Sequence, residues 1–441
     1  MDSARNWWGR TLLLSGAAAA TAGLFYLGTG LHPMPWLTWL APLPALLIAP
    51  RISLPAATAV AFTGYLVGLA GYGRYLLADL EIPGPAVIGI LTGVSMIFTV
   101  VVLLFRGLLR RGWALTAAVV APAAWTSAEF LMGRLGPYGA NWSLANAQAD
   151  LLPILQTASI TGVYGVSFLI FGTAAAIAVV AAPRIDDQRR VVTLLVAVAV
   201  LAVALGFGAI RLAQSPSTPT VRVALVAAHG AGNVPEVGTM EARSRMAAGL
   251  SWLRDHETQQ GMIIVFPEKD FAVDQNTLPA VITAFGAVAH RKQATIVLGL
   301  EHHTGSDIFN TALVFTPDGA EPLVYHKQRP VVGAEDEVTP GTGDLLVSTP
   351  SGVLGIAICT DLGHPEIGRH YAQAGARLLL VPALDFQVDD WSQSRVQLLR
   401  GVESGFSTVR APDRASSLPP TRMAASPPRH GPTTTARRPS A

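Results

Sequence analysis

Three residues in this chain have the types and settings to attack a carbonyl carbon. Glu268 follows the apolar run "MIIVFP", Lys327 ends "PLVYHK", and Cys359 ends "VLGIAIC". Cys359 is the sequence's one cysteine, so no intramolecular disulfide staples the fold. A thiol attacks only as the thiolate, and its ordinary pKa lies near 8.5. A neighbouring carboxylate can take its proton. An ammonium can hold the thiolate and then the oxyanion of a tetrahedral intermediate. Taken singly, each residue has a plainer reading: a small buried hydrophobe for Cys359, a solvated strand end for Glu268 and a surface side chain for Lys327. Their shared placement at the ends of apolar runs favours the chemistry.

That placement depends on the elements around them. Short apolar runs predict strands at 221–228, 262–267, 294–300, 310–316, 322–327, 345–350, 353–359 and 377–383. Amphipathic stretches at 236–256, 278–291, 365–375 and 390–404 read as helices. "TPDGAE" (316–321) and "TPSG" (349–352) carry hairpin-turn chemistry. Strands alternating with helices predict a layered α/β domain rather than a barrel. In such sheets the carboxyl ends of strands converge on a crevice, where an acid, an amine and a thiol could meet. Pro365 and Glu366 suit the first turn of a helix just behind the thiol, whose N-terminus would favour the anion. There is no Gly-rich phosphate loop and no G-x-S-x-G elbow. His302 and His303 are adjacent, the wrong spacing for two ligands on one helix face, and no metal is expected.

The first half has another composition. The 441-residue chain is 51% hydrophobic and 14% charged, against about 25% in ordinary soluble domains. Residues 11–50, 52–73, 82–105, 151–183 and 191–210 contain no Asp, Glu, Lys or Arg. At about 20 residues per helical crossing, this predicts about seven spans, near 11–29, 34–50, 53–73, 84–105, 113–133, 156–182 and 191–211. Arg5, Arg10, Arg51, Arg106, Arg110, Arg111, Arg184, Arg189 and Arg190 all fall in loops on one side of such a bundle. The positive-inside rule makes that side cytoplasmic and puts the second half outside. The expected division is a transmembrane helical domain over 1–214, a catalytic domain over 220–411 after the linker "SPSTP", and a tail over 412–441. The net charge of +2 and the lack of a basic, aromatic-interleaved patch argue against a nucleic-acid partner.

With "FPE", "HK" and "ICTDLGHPE" in this order, the chain resembles the nitrilase (carbon–nitrogen hydrolase) superfamily with its Glu–Lys–Cys signature. The attached membrane half, with "GPYGANWSLANAQ" (136–148) and "ITGVYGVSFLI" (160–170), makes the whole similar to the apolipoprotein N-acyltransferases. The resemblance implies an αββα sandwich on the periplasmic side of a bacterial inner membrane. It implies two steps: a phospholipid acylates the cysteine, and the thioester then acylates the α-amino group of a diacylglyceryl-cysteine on an apolipoprotein. Carried over, Cys359 is the nucleophile, Glu268 the general base and Lys327 the oxyanion-stabilising cation. Glu335 and Asp361 take supporting roles. No cofactor is implied, since a thioester acylates an amine unaided.

The sequence also departs from the family. Thr360 and Asp361 stand where its acyltransferases usually carry Tyr then Glu, and "CTDLGHPE" is closer to the superfamily's soluble amidases. "AAHGAGNVPE" (227–236) lacks the expected Gln-Pro-Asn and Trp. After 411 the expected late strands and last span give way to a Pro-, Ala-, Arg- and Ser-rich stretch that cannot bury a core and is expected to be disordered, through a frameshift or a truncation. Two alternatives to acyl transfer therefore stand: a membrane-tethered amidase or hydrolase, and an inactive truncated member of the family.

Overall fold

The computed structural model describes residues 2–214, 220–227, 234–256, 260–349 and 352–413, with side chains from residue 9 onward. The linker at 215–219 and residues 414–441 of the tail lie outside the described residues, and so do the frameshift and disorder expected there.

The first half is helical. Its elements are α1 (Asp2–Gly28), the short α2 (Pro35–Thr38) and α3 (Leu43–Ile48), α4 (Leu54–Gly68), α5 (Ala70–Ala78) and α6 (Gly84–Arg110). They are followed by α7 (Ala114–Leu135), the short α8 (Leu152–Leu155), α9 (Ala158–Val180) and α10 (Asp187–Ala213). Among the described residues five helices are long and apolar enough to cross a membrane, six if α4 and α5, bent by 45°, are one span. The expected helical span near 34–50 is corrected. Pro35, Pro42, Pro44 and Pro50 punctuate it, and it folds as α2, a turn, α3 and a 3-10 turn.

This broken run still leads from one end of the bundle to the other. At its start, Pro35 O accepts a hydrogen bond from Gln148 Nε2 (3.1 Å). At its finish, Ala49 O accepts one from Arg106 Nε (2.9 Å), and Arg51 reaches Ala181 O. Arg189 and Arg190 bond Gly112 O (2.7 Å) and Ala182 O (2.9 Å) at that same end. The arginine-bearing loops thus cluster away from the second half of the chain.

The second half is a four-layer sandwich. Its elements are β1 (Val223–Leu225), α11 (Met240–Asp255), β2 (Ile263–Val265), β3 (Phe271–Asp274), α12 (Leu278–Lys292), β4 (Thr295–Thr304), β5 (Asp307–Phe315) and β6 (Leu323–His326). Then come β7 (Leu345–Thr349), β8 (Gly352–Ile356), α13 (Pro365–Gln373), β9 (Ala376–Pro382), α14 (Asp390–Ser404) and β10 (Ser407–Ala411). One sheet runs β1-β2-β4-β5-β6 with β3 also on β4, and the other runs β10-β9-β8-β7. Period-two alternation builds the layers. In β2, Ile264 faces α11 and α12 with Phe285 and Leu253, while Ile263 and Val265 face the other sheet with Ile356 and Leu380. Across that second sheet, Leu379 and Val381 pack on Ile367 and Tyr371 of α13. All eight predicted strands are present, and β3 and β10 lie outside those eight.

The halves share a core. Leu399 and Val402 of α14 sit in the apolar cluster of the helical bundle. Ala140, in the loop after α7, donates its N–H to Gly363 O (2.8 Å) four residues beyond Cys359. Gly139 has φ +58°, and a Cβ there would collide with the Gly363 carbonyl. Gly139→Ala should therefore cost about 1–2 kcal/mol for the left-handed backbone alone. It should also lower activity at least about tenfold by displacing the cysteine loop, as steady-state kinetics on folded protein would show.

Candidate active site

The three chemically suggestive residues lie just beyond the carboxyl ends of β2, β6 and β8, strands that all point toward one edge of the sandwich. Glu268 and Lys327 are nearly inaccessible, at 2% and 1% side-chain exposure, and lie together: Lys327 Nζ donates to Glu268 Oε1 (2.7 Å). The same ammonium donates to Glu335 Oε2 (2.6 Å). Asn310, at the register position of β5 beside this pair, gives Nδ2 to Glu268 Oε1 (2.6 Å) and Glu335 Oε1 (2.8 Å). The Leu384 N–H completes Glu268 at Oε2 (2.7 Å), and the Val331 N–H bonds Glu335 Oε2 (2.9 Å). Lys269 adds a second ammonium on Glu335 (3.0 Å). Two carboxylates and two ammoniums therefore meet in a buried cluster, and Lys269 also reaches a third carboxylate, Glu301 (3.6 Å).

That proximity shows in the ionisation of the groups. Burial pushes Lys327 toward its neutral form, but Glu268 and Glu335 outweigh it and hold the ammonium well above its ordinary value. Burial likewise works against the Glu335 carboxylate, and Lys327 and Lys269 reverse it, holding this acid well below the usual range.

Cys359 opens a short 3-10 turn, Cys359–Gly363, with φ +41°, an elbow that a non-glycine residue adopts at a cost repaid by its surroundings. Burial, and then Glu268, push its thiol well up, against Arg410 and Lys327. Asp361 stitches this elbow to the Lys327 strand. Its Oδ2 accepts from Tyr325 OH (2.7 Å) and Ile358 N (2.9 Å), and its Oδ1 from Gln328 N (3.1 Å) and Arg329 N (2.9 Å). Gln397 of α14 donates to Cys359 O (3.2 Å).

Glu268, Lys327, Cys359, Glu335 and Asp361 are thus in one neighbourhood. Sequence reasoning missed Asn310, Lys269, and Arg410 with its partner Asp385. Arg410 Nη2 lies 3.6 Å from Cys359 Sγ. A lone arginine in the short strand "STVRA" was the available signal.

A cavity of about 270 Å³ lies in the helical bundle, lined by Tyr65, Leu69, Val94 and Trp125 and roofed by Pro137–Gly139 and Trp142. A smaller one shares Tyr72, Tyr138 and Trp142 with it and reaches Thr360, next to the cysteine.

Two family models match the chain on either side of this junction. The apolipoprotein N-acyltransferase N-terminal domain matches residues 21–176, and the carbon-nitrogen hydrolase domain matches 246–411. The chain belongs to the apolipoprotein N-acyltransferase family, within the nitrilase superfamily. An apolipoprotein N-acyltransferase from Geobacter metallireducens is 24% identical over 91% of this chain and 83% of its own length. One from Shewanella oneidensis is 25% identical over 66% of this chain, a match spanning 61% of that relative. A 2-oxoglutaramate amidase from Paenarthrobacter nicotinovorans is 28% identical, over only 26% of this chain. The amidase likeness leaves the membrane half unaccounted for, so amide hydrolysis is not the favoured reading.

The ionic cluster predicts a stability profile. Glu335, with its depressed pKa, stabilises fully above the ordinary glutamate value near 4.3, and this is lost as pH falls through the lower folded value. Lys327, with its raised pKa, stabilises fully below about 10.4, and this is lost as pH rises through the higher folded value. The cluster's contribution is flat between about pH 5 and 10. Thermal unfolding against pH should show an acid limb that Glu335→Gln weakens, and Lys327→Met should cost about 3–5 kcal/mol at neutral pH.

Proposed function

We propose that this chain is an N-acyltransferase. It moves an acyl chain from a phospholipid, through a thioester on Cys359, to the α-amino group of the N-terminal diacylglyceryl-cysteine of an apolipoprotein. The observation that carries the reading is a buried acid–ammonium–thiol site joined by one loop to an apolar cavity within a membrane-spanning bundle. A soluble amide has no use for that cavity; the acyl chain of a lipid does.

In the first step the Cys359 proton passes to Glu268 as sulfur attacks the donor's ester carbonyl. Because burial raises the thiol's pKa, this transfer accompanies attack rather than preceding it. Lys327 faces the developing oxyanion. The carbonyl–oxygen ester bond breaks, and the departing alcohol of the lysophospholipid takes the proton back from Glu268. In the second step the amine attacks the thioester and gives a proton to Glu268, the carbon–sulfur bond breaks, and Glu268 returns the proton to the departing sulfur to restore the thiol. Glu335 and Lys269 hold Lys327 charged and in place, and Asp361 fixes the elbow against the Lys327 loop. The arginine-bearing loops at the far end of the bundle support a cytoplasmic location for that end, in a bacterial inner membrane, with the catalytic half on the periplasmic side.

The test is turnover of a diacylglyceryl-cysteine peptide by purified protein in phospholipid micelles, followed by mass spectrometry. Glu268→Gln, which keeps the side chain's shape, and Lys327→Ala should each abolish triacylated product. Wild-type-like activity in Glu268→Gln would refute the assigned roles, and release of free fatty acid without peptide acylation would favour hydrolysis.

A further inference from the structure

The cation in direct polar contact with the nucleophilic sulfur is not the lysine of the acid–amine pair. Lys327 Nζ already bonds two carboxylates, at 2.7 and 2.6 Å. Arg410, on β10, approaches Cys359 from the other side, with Nη2 3.6 Å from Sγ. It is one-tenth exposed, and Asp385 holds it through Nε to Oδ2 (3.1 Å) and through a second, shorter contact from Nη2 to Oδ1. Its Nη1 is buried and has no hydrogen-bond partner among the described residues. A buried guanidinium N–H left without an acceptor is costly, and a substrate oxygen would satisfy it.

We propose that Arg410 is a further catalytic residue, whose guanidinium carries the negative charge on Cys359 as sulfur attacks and offers its free N–H to an oxygen of the acyl donor. This rests on Cys359 being the nucleophile. The proton still goes from sulfur to Glu268, the sulfur–carbon bond forms and the ester carbon–oxygen bond breaks. Arg410 exchanges no proton in this sequence; it lowers the energy of the anion. Asp385 positions Arg410 and opposes it electrostatically. The charged and titratable groups facing the thiol are Glu268 and Lys327 from the first sheet's edge, Arg410 from β10, Asp385 after β9, and Tyr75 from α5.

The geometry therefore gives two variants opposite signs. Arg410→Gln removes a positive charge from beside sulfur, and Asp385→Asn removes a negative one while leaving the arginine. Cys359 is the sole cysteine, so iodoacetamide labelling of the full chain in detergent reports it directly. Over the rising part of the pH–rate curve, Arg410→Gln should label about tenfold more slowly than wild type, equal to a thiol shifted up by about one unit. Asp385→Asn should label faster, and Arg410→Lys should stay within about threefold of wild type. A merely structural role would move both removals in the same direction. That result, or unchanged labelling in Arg410→Gln, overturns the proposal. If Arg410→Gln fails to fold, Asp385→Asn and Arg410→Lys decide: faster labelling in the first with near-normal labelling in the second supports it, and any other pair of results overturns it. The labelling needs neither lipid nor apolipoprotein, so failure of acyl transfer in wild-type protein would count against the proposed function and leave this result separately readable.

Discussion

The ammonium of Lys327, held out of water between Glu268 and Glu335, is the interaction on which the site depends. Burying one such charge costs several kcal/mol, and only close partners with their remaining hydrogen bonds satisfied offset it. Here Asn310, the Leu384 and Val331 N–H groups and Lys269 meet that condition. The consequence is geometric as well as energetic. The cluster fastens the ends of β2 and β6 and the interior of β5 to the loop at 331–335, and Asp361 then fastens that assembly to the cysteine elbow. The thiol is left buried beside this assembly, where burial favours its neutral form.

The membrane half enters this geometry through α14 and the loop after α7. α14 contributes Leu399 and Val402 to the bundle core while its Gln397 bonds Cys359 O. The loop bonds Gly363 and roofs the apolar cavity. Tyr75 OH bonds Asp389 Oδ2 (2.7 Å) across the same junction. A shift of the bundle would therefore be felt at the cysteine elbow, and the smaller cavity reaches Thr360 beside it.

Much of this was legible from sequence because apolar runs of five to eight residues bounded by turn residues announce buried strands. Glu268, Lys327 and Cys359 could be read at their ends for that reason. β3 escaped because "FAVD" follows the charged "EKD" directly, with no Gly or Pro to mark the turn at 268–270. The second crossing was misjudged because composition counts apolar residues and ignores what four prolines do to a helix. Asn310 and Arg410 are strand residues whose importance comes from neighbours far along the chain: Glu268 lies 42 positions from Asn310, and Cys359 lies 51 from Arg410. No local pattern encodes such pairings, whereas the motif spacing carried the family resemblance unaided.

Acyl transfer through Cys359 would leave a covalent mark on the chain. The most direct measurement is the intact mass of the purified chain after incubation with a phospholipid of defined acyl composition and no acceptor. The expected result is a gain of one acyl group on Cys359, labile to neutral hydroxylamine, absent in Cys359→Ala, and discharged as amide when a diacylglyceryl-cysteine peptide is added. Acylated peptide formed at wild-type rate by Cys359→Ala, with no adduct on the chain, would contradict it.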